Sequence, residues 1–316
     1  MKVLVTGGGG FLGSHVCERL LKDGNEVFCI DNLSSGNFEN IRHLQGASFH
    51  FMKDDVLELK EFPKADFIFH MASLASPDYY QKEPVRTIEI NTVGTKLLLE
   101  HAKKNGAGFF FTSTSEVYGD TQVIPTPETY WGNVNPNGIR SCYDEGKRCG
   151  EAYCKAYERL HGMDVRIVRI FNTYGPRLRA REGSSYGRVI PRFIDQALAG
   201  EPLTIFGDGS QTRSFTYVDD TIEGLFRIAF DKGARNGFFN IGNENETTIR
   251  ELAEKIIGLT GSKSEIAYSP LPEDDPKRRK PDITKARSIL GWEPKTGLDE
   301  GLKKTIEWYA NYISKA

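Results

Sequence analysis

Cysteine is scarce, with Cys17, Cys29, Cys142, Cys149 and Cys154 the only five in 316 residues. The odd number and the lack of any C-x-x-C pair exclude a disulfide framework and the common zinc motifs, leaving reduced thiols used for packing. The six histidines include no H-E-x-x-H and no pair four residues apart, so metal chemistry has no support in the sequence. His70, at the end of an apolar run, reads as structural. No apolar run approaches the roughly 20 residues that cross a bilayer, and no charged and apolar leader precedes the run starting at Lys2. An excess of one charge is also missing, since 41 basic residues face 43 acidic ones. A net charge of −2 excludes a general polyanion binder, although Lys277-Arg278-Arg279-Lys280 is a local basic run. There is no internal repeat or low-complexity tract. The expectation is a soluble, cytoplasmic protein.

With 39% hydrophobic and 27% charged residues, the chain has enough apolar side chains for one large or two joined domains. Lys2-Val3-Leu4-Val5-Thr6 reads as a buried parallel strand, followed by Gly7-Gly8-Gly9-Gly10-Phe11-Leu12-Gly13 and a helical pattern through Leu21. In this order Gly7, Gly10 and Gly13 permit a tight turn, close backbone approach to a diphosphate and close helix packing, with Phe11 and Leu12 beside them. The next strand, Glu26 to Ile30, ends at Asp31, where an acidic residue can accept from the ribose hydroxyls of a dinucleotide. Like charge at Asp31 opposes a 2′-phosphate, so NAD is favoured over NADP. Further strands are expected at 49–52, 66–70 and 108–112, with a helix at 85–104.

Such alternation predicts an α/β fold with a doubly wound parallel Rossmann sheet, its ligands at the strands' carboxyl ends. Asp55-Val56, Met71-Ala72-Ser73 and Thr112 fall at those ends, as do Asn32, Ser35 and Gly36 after the second strand. Beyond Phe171 the pattern loosens into turns and short elements. We therefore expect a Rossmann domain over 1–172, rejoined by 214–240. A smaller C-terminal α/β substrate domain takes 173–213 and 241–316, with helices at 248–259, 283–290 and 298–313.

Tyr143 and Lys147 are spaced i, i+4, so on a helix they share a face. A neighbouring ammonium favours a phenolate, which lets Tyr143 take a hydroxyl proton near neutral pH. Bringing the phenol from about 10 to about 7 needs a differential interaction of about 4 kcal/mol.

Several segments together resemble the extended short-chain dehydrogenase/reductase family, and within it the UDP-glucuronate decarboxylases. They are Thr114-Ser115-Glu116-Val117-Tyr118-Gly119-Asp120, Tyr130-Trp131-Gly132-Asn133-Val134-Asn135-Pro136, Ser141 to Arg148, Arg169 to Arg177, Gln211-Thr212-Arg213-Ser214-Phe215 and Asp274 to Asp282. The resemblance implies NAD held by the residues above together with Thr173, and a catalytic group of Thr114, Glu116, Tyr143 and Lys147. It assigns Asn172, Arg188, Phe206, Gln211, Arg213, Tyr217 and Arg279 to the UDP-sugar, UDP-glucuronate. A homodimer through the helices near 93–104 and 143–160 is also implied. Guanidinium forks suit phosphate and carboxylate oxygens, while Lys277 reads as a solvated loop residue.

Oxidation of the sugar at C4 would place a ketone beta to the C6 carboxylate, so that carbon dioxide can leave and an enolate form. Related 4,6-dehydratases carry Thr-Asp-Glu, and Ser115 in the middle position disfavours dehydration. A 4-epimerase remains an alternative, as does a silent NAD-binding module. Glu116 could position a water, hold a sugar hydroxyl or simply favour the start of a helix. The chain departs from the family pattern in a longer stretch over 178–187, in Phe206 where tyrosine is frequent, and in Asn137 where an apolar residue is usual.

Overall fold

In the computed structural model of the protein, which describes residues 1–180, 188–271 and 278–313, seven short runs form one parallel sheet. They are β1 (Lys2–Thr6), β2 (Glu26–Ile30), β3 (Phe49–Met52), β4 (Phe67–His70), β5 (Gly108–Thr114), β6 (Val165–Ile170) and β7 (Phe238–Ile241). Their order is β3-β2-β1-β4-β5-β6-β7. The register sets Val5 beside Cys29 and Phe69, and Thr114 beside Ile170.

The runs are mostly apolar because both sheet faces are covered. Val3, Val5, Phe67, Phe69 and Phe110 face one core, while Leu4, Ile68, Phe109 and Phe111 alternate onto the other. That period of two gives neither face to water. Between β1 and β4 the winding reverses, leaving a crevice at the strands' carboxyl ends.

The helix expected over 85–104 is present, but it is not regular. It runs as Pro84–Glu89, a π-helical turn over Ile90–Gly94 and helix α2 (Thr95–Asn105), after α1 (Phe11–Lys22). Four side chains in it bond to the carbonyl one turn back: Thr87 to Glu83, Asn91 to Thr87, Thr92 to Ile88 and Thr95 to Asn91. Competition of this kind loosens the backbone ladder and accommodates the wider turn. A long helix, α3 (Ser141–His161), packs against it through Gly150. A Cβ at Gly150 would meet the Phe111 ring at 2.4 Å and the Asn91 carbonyl oxygen at 2.9 Å.

After β6 the chain leaves the sheet, forms helix Val189–Ala199 and several two- to four-residue strands, and returns through helix Val218–Phe230 to β7 beside β6. Thr212–Ser214 lies between Glu246–Thr248 and Arg278–Arg279, with Arg279 paired to Arg213. Helices Ile249–Thr260, Thr284–Leu290 and Leu298–Ile313 complete the described chain. No described helix is long and apolar enough to cross a membrane.

Candidate active site

A single cleft of about 1460 Å³ opens over the carboxyl ends of β1 to β6 and continues between helix Val189–Ala199 and Arg279. One bound molecule typically fills about 300–1,000 Å³, so this volume accommodates two side by side.

One end is shaped for a dinucleotide. Gly7 sits at φ +76°, where a Cβ would lie 2.7 Å from the Ala72 nitrogen, and a Cβ on Gly13 would lie 2.1 Å from the Gly7 carbonyl oxygen. Side chains are therefore excluded from the turn. α1 starts at Gly10 without a side-chain cap, so its first amides remain for an anion. Asp31 is buried and accepts from the amides of Gly9 and Leu33, each at 2.8 Å. Burial nevertheless raises its carboxyl above the ordinary range. Asn32 donates to Asp55 at 2.6 Å, and Arg86 pairs with the same carboxylate at 2.7 Å. Ser35, Gly36, Val56, Met71 and Ser73 line the same end. The donors and the glycine cradle fit NAD.

At the middle of the cleft, Tyr143 and Lys147 project from the first two turns of α3, both buried. The Tyr143 hydroxyl hydrogen bonds to Thr114, the last residue of β5. Lys147 donates from Nζ to the Thr112 carbonyl at 2.8 Å and lies 5.9 Å from the Tyr143 ring centroid. Burial dominates both: it pushes Tyr143 up to about 12, and Lys147 down to about 7. Against that burial, the hydrogen bond to Thr114 and the Arg140 cation lower the Tyr143 phenol. Lys147 therefore stands beside the phenol with its ammonium bonded to the Thr112 carbonyl.

Arg140 escaped the sequence reading. It stands just ahead of α3, and a lone arginine in a loop carries no periodic signal. It donates to Glu116 at 2.5 Å, and its guanidinium lies 5.9 Å from the Tyr80 ring. Tyr80 in turn stacks on Tyr143 at 5.4 Å with planes 5° apart. Arg279, buried and lowered by burial to about 10, forks onto both oxygens of Glu116. The structure therefore brings Glu116, Arg279 and Arg140 together beside Tyr143.

Farther along, Asn172, Arg188, Phe206, Gln211 and Arg213 line the cleft, as does Thr173. Arg188 donates to the Arg179 carbonyl at 3.0 Å, Gln211 to the Phe206 carbonyl at 2.6 Å, and the Arg192 guanidinium covers the Phe206 ring at 4.9 Å. Tyr217 is the exception among the expected residues. Its ring is buried, edge-on to Tyr174 at 5.7 Å and under the Lys304 ammonium at 5.3 Å, in a strand whose two residues are both buried. Arg181 to Gly187 of the longer loop, and Lys277, lie outside the described residues. Asn137 is exposed, which accommodates a polar residue there. His70 is structural, buried with Thr6 and Thr95 hydroxyls 2.9 and 3.1 Å from its ring nitrogens. Among the described residues, no three His, Cys, Asp or Glu side chains converge as metal ligands.

The sequence profile of the NAD dependent epimerase/dehydratase family matches residues 3–242. UDP-glucuronic acid decarboxylase 4 of Arabidopsis thaliana is 49% identical over 308 residues, covering 97% of this chain and 68% of that one. UDP-glucuronic acid decarboxylase 1 of Danio rerio is 46% identical over 313 residues, covering 99% and 73%. The structure superposes with a TM-score of 0.90 on UDP-glucose 4-epimerase of Thermotoga maritima with UDP-glucose, at 35% identity over 99% of this chain and 100% of that one. It matches UDP-glucuronic acid 4-epimerase of Bacillus cereus, in complex with UDP-glucuronic acid and NAD, with a TM-score of 0.89 at 30% identity, over the same shares. By glycine turn, sheet order and sequence alike, the chain belongs to the NAD dependent epimerase/dehydratase family.

Proposed function

We propose that this protein is a UDP-glucuronate decarboxylase that converts UDP-glucuronate to UDP-xylose, with NAD as its cofactor. The carrying observation is the ion pair of Glu116 with Arg279 beside Tyr143, in a chain 46–49% identical to decarboxylases. NAD, held by the Gly7–Gly13 turn and Asp31, would supply acceptance and return of the C4 hydride without being consumed.

The protein supplies proton handling and orientation. Tyr143 removes the O4 proton, and Lys147 as an ammonium helps it to do so. In the resulting 4-keto acid the C5–C6 bond breaks, its electron pair enters an enolate across C4 and C5, and carbon dioxide leaves. Thr114 and Tyr143 hydrogen bond to the enolate oxygen and stabilise that charge. Glu116, fixed by two guanidinium groups, serves this step and the return of a proton to C5. The forked donors of Arg213 and Arg188 suit the diphosphate.

The test is direct. Purified protein incubated with UDP-glucuronate is expected to release one carbon dioxide per UDP-xylose formed, and products with an unchanged carbon count overturn the reading. A second reading, 4-epimerisation of a UDP-uronate, draws on the solved epimerase structures with the same architecture. It predicts UDP-galacturonate without gas.

Three further proposals accompany this reading. The chain divides into a dinucleotide-binding part, 1–172 with 214–240, and a nucleotide-sugar part, 173–213 with 241–316. It works in the cytoplasm. Two copies associate through α2, α3 and the helical segment ahead of α2, whose exposed Ile88, Val93, Leu97 and Leu160 support an apolar contact.

A further inference from the structure

We propose that Tyr118 and Asn240 are positioning residues that hold the Arg279–Glu116 pair in register with the catalytic strand. The inference rests on the decarboxylase reading and goes beyond it, because neither residue belongs to the cleft wall. Both are buried, Tyr118 at the end of the 3-10 turn Ser115–Tyr118 that carries Glu116, and Asn240 in β7.

Their bonds form a closed circuit. The Tyr118 hydroxyl donates to Asn240 Oδ1 at 2.8 Å. Asn240 Nδ2 donates to the carbonyls of Thr126 at 2.9 Å and Asp282 at 3.1 Å, two segments that flank Arg279. The Thr126 amide donates to the Lys280 carbonyl at 2.9 Å, and the Asp282 amide to Thr126 at 3.0 Å. Arg279 then reaches Glu116, two residues before Tyr118. A short polar ring thus ties the position of one guanidinium to the position of one carboxylate.

The ring is anchored to the catalytic helix as well. Arg169 donates to the Tyr118 oxygen at 2.9 Å and forks onto Glu151 of α3 at 2.9 and 2.6 Å. Glu151 also accepts from Ser113 at 2.5 Å, next to Thr114. The Asn240 amide meanwhile donates to the buried Glu128 carboxylate at 2.9 Å. Every polar atom of the Asn240 side chain and of its amide is therefore engaged, and no other residue type presents one acceptor and two donors in that shape. An aspartate loses the two donors and places a charge beside Glu128.

The chemical consequence is selective. Removal of the O4 proton depends on Tyr143, Lys147 and Thr114, to which no side-chain bond of Tyr118 or Asn240 runs, whereas breakage of C5–C6 takes place over Glu116 and Arg279. A displacement of about 1 Å in a supporting group can cost about 100-fold in rate. Tyr118→Phe removes one hydroxyl with the ring retained, so it is expected to leave sugar oxidation within about threefold while slowing carbon dioxide release by about 10- to 100-fold.

The experiment compares wild type, Tyr118→Phe, Asn240→Asp and the double variant in single turnovers of UDP-glucuronate, following reduced nicotinamide absorbance and carbon dioxide together. The expected result is accumulation of reduced nicotinamide with delayed gas in each variant, and a double variant no slower than the worse single one, as for two links of one chain. Equal losses in both signals, independent multiplying losses, or lower melting temperatures with unchanged kinetics overturn the inference. Should Asn240→Asp fail to fold, the Tyr118→Phe ratio alone decides. Wild type that releases no gas refutes the decarboxylase reading instead, so the two failures are distinct.

Discussion

Replacing Lys147 by methionine should make the nucleotide-free protein more stable while removing its activity. Burial depresses this ammonium from 10.5 to about 7, so at pH 7 the folded state carries an unfavourable term that the unfolded chain lacks. A shift of that size corresponds to about 4 kcal/mol at pH 7. Methionine keeps the length of the stem but forfeits the bond from Nζ to the Thr112 carbonyl at 2.8 Å, an interaction of about 1.5–3 kcal/mol for a charged donor. The difference leaves a net gain of about 1–3 kcal/mol, or a melting temperature higher by about 2–9 °C if each kcal/mol shifts the midpoint by about 2–3 °C. The sign with pH follows from the same linkage. Because the folded pKa lies below the unfolded one, the penalty is complete below pH 7 and fades as pH rises towards 10.5. Wild-type stability should therefore gain on the variant between pH 7 and 10, and the two should converge or cross. Calorimetry of both proteins, stripped of nucleotide, at pH 7 and 9.5 measures this directly. A less stable Lys147→Met at pH 7, or a difference independent of pH, would refute the reasoning.

Three other substitutions separate the parts of the site. Tyr143→Phe should abolish formation of reduced nicotinamide from UDP-glucuronate, while NAD affinity changes by less than about threefold because the stacking on Tyr80 survives. Gly13→Ala forces a Cβ to within 2.1 Å of the Gly7 carbonyl, backbone against backbone. NAD affinity measured by calorimetry should fall by more than about 100-fold, a loss of about 2.7 kcal/mol or more. Glu116→Gln removes the charge that faces Arg279 and Arg140. Carbon dioxide release or deuterium entry at C5 should slow by about 10-fold or more, with oxidation retained, and full-rate deuterium incorporation would contradict a part in protonation.

The sequence displays what is local and periodic. Lys2–Thr6, the glycine turn and α1 follow one another within some twenty residues, and their order alone forecasts a parallel sheet with a dinucleotide at its switch point. Tyr143 and Lys147 are legible for the same reason, being one helical turn apart. What is hidden depends on long-range burial. Nothing local shows that Lys147 donates to the Thr112 carbonyl of β5, or that burial lowers its ammonium. Asn240 and Tyr118 look like ordinary residues of short apolar runs, yet they bond across 122 positions of sequence. Tyr217 misleads because the side a two-residue strand presents to the cleft is fixed by its partner, here Thr173–Tyr174. The π-helical turn arises from several side-chain bonds whose joint effect no single residue announces.

The position of β7 and Arg279 along the chain has a consequence for synthesis. β1 to β5, and the glycine turn with them, are complete by residue 114, but the polar ring around Glu116 closes only when Asn240 and Arg279 have been made. The residues that shape the dinucleotide turn thus lie far earlier in the chain than those that surround Glu116.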